Sequence, residues 1–88
     1  MPVTVTVRRL LLDSLKPREL SLIELSKALA SVNGVEEVGV VVIEVDSKTE
    51  TLKVTIEGPE IDHEAIWKVM ENYGVSIKGV DEISAAKQ

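Results

Sequence analysis

The chain has no cysteine and no phenylalanine, a single tryptophan and a single tyrosine. It also lacks a glycine-rich loop, a block of basic residues and a long apolar run. Each shortage closes a class of function. Without Cys there are no disulfides and no thiolate metal sites, and a reducing compartment is compatible with the chain. With aromatics at 2%, the stacking platform that RNA-recognition sheets carry on their central strands cannot be built. The longest apolar stretches, such as Val38 to Ile43, fall far short of the roughly 20 residues that cross a bilayer. The first residues do not follow a signal peptide's order of basic, apolar and small-residue segments. A net charge of -5 repels phosphate backbones. The expected location is cytoplasmic, with no nucleic acid and no membrane as partner.

What is present is a supply of Val, Leu and Ile in an 88-residue chain, enough for one core and too little for two. Residues 1–88 are read as a single domain. At this size a monomer buries only roughly 60–65% of the surface its unfolded chain exposes, so a partner subunit is one way to enlarge the core.

From Val3 to Leu15 the residues are mostly β-branched or aliphatic, and Lys16-Pro17-Arg18 breaks the run, predicting a first strand. Ser21 with Glu24 three residues on forms a capping box, with Leu20 and Leu25 as its hydrophobic staple. Leu22, Leu25, Leu29 and Val32 then recur at helical spacing until Asn33-Gly34, predicting a helix from about Leu22 to Asn33. Val35 to Asp46 is dense in Val and Ile, and Leu52, Val54 and Ile56 alternate with Lys53, Thr55 and Glu57, so two strands are joined by a polar loop. Gly58-Pro59 ends the hairpin, and Asp62 caps a second helix whose apolar stripe is Ile66, Val69, Met70 and Tyr73. Gly74 closes it, and Val75, Ile77 and Val80 predict a last strand.

The order is β-α-β-β-α-β. Gly34-Val35 with Gly39-Val40 recurs forty residues later as Gly74-Val75 with Gly79-Val80, so the two halves echo each other. Two interleaved right-handed crossovers of this kind give an α+β, ferredoxin-like sandwich: a four-stranded antiparallel sheet with both helices on one face.

In that fold the second strand lies at a sheet edge. Val38, Val40 and Val42 point one way and Val41, Ile43 and Val45 the other, so both of its faces favour leaving water, at an edge whose free backbone groups also invite a second chain. Val41, Ile43 and Val45, with Trp67, are therefore the candidate subunit interface. The alternative is that a segment such as Ile83 to Ala86 folds back over the open face.

Few residues carry chemistry. Lys16 and Arg18 stand before the first helix without a glycine-rich cradle, and could hold an anion or be ordinary solvated charges. Arg8 and Arg9 point to opposite sides of a strand, so one of them meets the open face, where it could bind an anion or pair with an acidic group of a partner subunit; Arg8 joins Lys16, Arg18 and His63 as a candidate ligand-binding residue. His63 and Trp67, four apart on the second helix, suit a ligand or subunit contact, or a partly exposed pair over the helix edge. Glu44, Asp46 and Glu50 gather near the hairpin and could contribute to a site for a divalent cation such as calcium, though three carboxylates are too few to specify one. No motif gives His63 a nucleophile or an orienting acid, so no enzyme is read, and no cofactor beyond such a cation is called for.

Several segments carry a resemblance: Arg8-Arg9-Leu10-Leu11-Leu12-Asp13, Leu15-Lys16-Pro17, Glu44-Val45-Asp46 with Thr49-Glu50, Thr55-Ile56-Glu57-Gly58, Ile61-Asp62 and Asp81-Glu82-Ile83. In this order they resemble the archaeal family known as domain of unknown function 211, from about Arg8 to Lys87. The resemblance implies a ferredoxin-like fold assembled into a ring-like homo-oligomer, without an established enzyme activity and without catalytic residues to carry over. The strand-forming residues Pro2 to Val7 extend beyond the family's usual start. The expected function is that of a non-catalytic structural or regulatory module acting as the assembled ring. The alternative is a regulatory domain that holds a small anionic metabolite or a divalent metal ion between subunits.

Overall fold

Six elements appear in the computed structural model, which describes residues 3–88: β1 (Val5–Pro17), α1 (Leu22–Ala30), β2 (Glu37–Val45), β3 (Thr49–Glu57), α2 (His63–Asn72) and β4 (Ser76–Lys87). The order matches the β-α-β-β-α-β reading. The strands form one sheet, β2-β3-β1-β4, with every neighbouring pair antiparallel. This is the ferredoxin-like α+β arrangement, with β2 and β4 at the two edges.

Period-two alternation places the core. Leu10 and Leu12 of β1 and Leu52, Val54 and Ile56 of β3 face Leu25 and Leu29 of α1 and Ile66 and Met70 of α2, all buried. Each such side chain contributes about 1.5–3 kcal/mol by leaving water. Both helices begin as their caps dictate: Ser21 Oγ accepts from the Glu24 N–H at 3.2 Å, and Asp62 Oδ1 accepts from the Ala65 N–H at 3.2 Å.

The repeated half has a physical basis. Gly34 and Gly74 both take positive φ, +84° and +74°, where a side chain is strained. At Gly34 a Cβ would also lie 1.6 Å from the Glu60 carbonyl oxygen, because the chain leaving α1 crosses the loop before α2 at backbone contact. The Asp62 N–H donates to the Asn33 carbonyl at the same crossing, 3.2 Å away.

Four boundaries differ from the expected ones. Pro2 lies outside the described residues, and β1 starts at Val5 and runs through Lys16 to Pro17. Pro17 is tolerated because it is the last strand residue: β3 is beside it, whereas the β4 pairing has already ended at Leu15 with Ser76. Helix α1 stops at Ala30, three residues early, where the Ser31 hydroxyl and N–H both donate to the Lys27 carbonyl. Finally, β4 continues to Lys87, paired with β1 throughout, so Ile83 to Ala86 do not fold over the open face.

Candidate functional site

The sheet face without helices carries a polar ladder. Arg9 on β1 donates to Glu57 Oε2 of β3 at 2.7 Å and to Glu82 Oε1 of β4. Four residues further along β1 and β3, Lys53 of β3 donates to Asp81 Oδ2 of β4 and stands 3.6 Å from Asp13 Oδ1 of β1. Each cation thus holds two carboxylates from neighbouring strands. The Glu82 hydrogen bond, followed by that of Glu57, raises the Arg9 guanidinium above its ordinary value. The Asp81 hydrogen bond does the same for the Lys53 ammonium, against some desolvation. These pairs are partly exposed, so solvent screens them and they add little to stability.

Arg9, rather than Arg8, is therefore the arginine of the open face, and its partners come from its own chain. Arg8 sits at a register shift of the β1–β4 pairing, between Val7 and Arg9, and is exposed. A bulge of this kind turns the alternation over.

Lys16 is not a free cation. Its side chain is 2% exposed, and Nζ lies 2.8 Å from Glu50 Oε1 while donating to the Pro17 and Arg18 carbonyls at 2.9 and 3.2 Å. Three donors meet three acceptors, so nothing is left for an anion. Arg18 stands 4.0 Å from Glu50 Oε2, half exposed. The same contacts engage Glu50, so Glu44, Asp46 and Glu50 are not brought together around a cation, and no group of three potential metal ligands occurs among the described residues.

Sequence reasoning missed the Arg9–Glu57–Glu82 and Lys53–Asp13–Asp81 groups. The signal was present in the polar side of β3, where Lys53 and Glu57 alternate with core residues.

At the β2 edge, Val38, Val40 and Val42 pack against the core, while Val41, Ile43 and Val45 are 52–58% exposed. They do not share one face. A register shift between Val42 and Glu44 sets Glu44 opposite Thr51 and Val45 opposite Glu50, so Val45 turns to the helix side and Val41 and Ile43 remain on the open side. At the β4 edge, Val80 and Ile83 pair with the core residues Leu12 and Leu10 and so face the helix side, yet stay about half exposed beyond the cover of α2. Trp67 lies between, part-exposed, with its ring edge-on to His63 at 6.4 Å. It lines an open cleft of about 400 Å³ together with Met70, Val75 and Ile77. A second hollow, about 340 Å³, runs past His63, Asp62, Glu60 and Asn33.

A sheet of this order, edged by half-exposed aliphatics, is the frame on which the comparison with known proteins bears. The sequence matches the family described as Uncharacterized ArCR, domain of unknown function 211, over residues 8–88. The chain belongs to that family. A relative from the archaeon Methanocaldococcus jannaschii, the uncharacterized protein MJ0319, is 38% identical over 82 residues, covering 93% of this chain and 84% of its own length. The matched span of the family takes in all four strands from Arg8 onward, including both ion-pair groups of the open face. No helix of the described residues is long and apolar enough to cross a membrane.

Proposed function

We propose that the chain is a non-catalytic structural or regulatory module whose working form is a ring-like homo-oligomer. The observation that carries this reading is the pair of unpartnered edges, with Val41, Ile43 and Val45 on β2 and Val80 and Ile83 on β4, all about half exposed. Full burial of such a side chain is worth about 1.5–3 kcal/mol, so five half-exposed ones leave about 4–7 kcal/mol unrealised in a monomer. Their unpaired N–H and C=O groups add a template for another strand. The candidate reactive groups point the same way: Lys16 is filled by Glu50 and two backbone carbonyls, and His63 abuts Trp67.

Light scattering on a gel-filtration column at micromolar protein tests the reading. The expected mass is an integral multiple of 9.6 kDa; a single 9.6 kDa species refutes it.

A second reading is a regulatory domain holding a small anion, or a divalent cation such as calcium, between subunits. Arg8 favours the anion form, since it is exposed and in no ion pair among the described residues. Thermal melting against a panel of anionic metabolites and divalent cations separates the two readings. A selective rise in Tm favours the second, and a flat response across the panel removes it.

A further inference from the structure

Resting on the homo-oligomeric reading, we infer that β2 of one copy adds to the free edge of β4 in the next, with Val45 seated in the cleft between α2 and β4, Glu44 beside Lys78, and the acidic edge of β2 against the cationic edge of β4.

Charge selects this pair of edges. The charged residues of β2 are Glu37 and Glu44, and neither takes part in an ion pair among the described residues. On β4, Asp81 and Glu82 are already held by Lys53 and Arg9, which leaves Lys78 and Lys87 without a carboxylate among the described residues. After internal pairing, one edge is therefore negative and the other positive. Two β2 edges, or two β4 edges, would set like charges together.

Strand direction agrees. Because β4 runs against β1, and β1 and β2 both run against β3, β2 and β4 are antiparallel to each other within one sheet. A copy displaced along the sheet thus offers an antiparallel β4 to β2. Residues opposite each other in such a pair share a face. Keeping helix side with helix side puts Val38 by Ala85, Val40 by Ile83 and Val42 by Val80. In this register Glu37 falls opposite Ala86 on the open side, with Lys87 next in sequence on the helix side, and Glu44 falls beside Gly79 and Lys78.

The irregularities of the two strands fit the same register. The shift that turns Val45 to the helix side of β2 brings it opposite Ile77 of the neighbour, in the cleft that Trp67, Met70 and Val75 also line. On the open side Ile43 meets Gly79, where a Cβ would have nothing within 4 Å and space is free. From Glu82 to Lys87 the β4 backbone carries no extra residue, which gives β2 an unbroken partner. Each copy uses one edge to give and the other to receive, and such a head-to-tail contact propagates until it closes as a ring.

The absence of native cysteine makes a direct test available. Facing residues in an antiparallel pair have Cα atoms about 4.5–5.5 Å apart, within disulfide reach, whereas Val40 and Ile83 of one chain stand on opposite edges with β3 and β1 between them. Under mild oxidation the double variant V40C/I83C is expected to cross-link into a ladder of dimers, trimers and higher species. Mixed single variants should give dimers only, and each single variant alone should give none. Charge exchange supplies a second readout. Glu37→Lys with Glu44→Lys, and separately Lys78→Glu with Lys87→Glu, should each raise the dissociation constant at least about tenfold, and all four together should restore it.

An oligomeric parent whose double variant fails to cross-link, or whose single variants cross-link to themselves, overturns the β2-to-β4 contact while leaving the homo-oligomeric reading standing. A monomeric parent overturns both.

Discussion

Replacing Lys16 by Met should be among the most damaging single changes available to this chain. The ammonium is almost wholly buried and is held by the Glu50 carboxylate and two backbone carbonyls. Removing it leaves a largely buried carboxylate facing an apolar side chain. Breaking a buried pair in this way costs about 3–5 kcal/mol. Two features bring the expectation to the lower end: Glu50 keeps some access to water, and Arg18 stands 4.0 Å away to share its charge. The Pro17 carbonyl also retains the Leu20 N–H at 3.2 Å. About 3 kcal/mol is therefore expected, which for a chain of this size is a fall in Tm of about 12–24 °C. Urea unfolding followed by circular dichroism, at one fixed protomer concentration, measures it. The double variant K16M/E50L should recover most of the loss, because two apolar groups replace the pair without stranding a charge. If K16M alone lies within 1 kcal/mol of the parent, the buried clamp is not holding the strand ends and the reasoning fails.

Gly34→Ala should cost about 3 kcal/mol or more, since φ is +84° and the new Cβ would strike the Glu60 carbonyl; G39A, with open space around it, should stay within about 0.5 kcal/mol in the same melts. Ser14→Ala should be neutral or stabilising by up to about 1 kcal/mol, because the buried hydroxyl has no hydrogen-bond partner among the described residues; a loss above that range would reveal a partner. Lys53 binds its proton more tightly folded than unfolded, because of Asp81. Its contribution is therefore complete at neutral pH and is lost as pH climbs through the raised lysine value. Chemical denaturation across the alkaline range should show that decline in the parent, and a smaller one in D81N.

Periodicity carried most of the fold. The caps at Ser21 and Asp62 and the alternation of β3 were readable because they are local, depending on neighbours three or two residues away. Apart from the early end of α1, the misplaced features depend on pairing. Lys16 looked like a loop cation because proline follows it, although continuing the Leu10, Leu12, Ser14 alternation by one step sets it on the core face opposite Glu50. The second half of β4 is poor in β-formers, and it remains a strand because β1 lies beside it and Arg9 and Lys53 bind its acids. Counting back from Leu12 and Leu10 sets Arg9 on the open face, whereas the bulge at Ile43 moved Val45 to the other face, and a bulge has no signature in single-residue propensity. Part of the edge of β2 was legible from its two-sided Val and Ile content. The cationic edge of β4 was not, because Lys78 and Lys87 stand out only after Asp81 and Glu82 have been assigned to other partners.

The pairing of β1 with β4 also sets an order in time. Val5 lies beside Lys87 and Leu10 beside Ile83, so β1 is the first strand to be made and the last to be completed. At about 5–20 residues per second of synthesis, the roughly 70–80 residues between those partners take about 4–16 s. The β2–β3 hairpin and both capped helices can form during that wait, while one side of β1 remains an open template. Such long-range closure slows folding. In a cell, this chain is most exposed to misassembly during the seconds before β4 arrives.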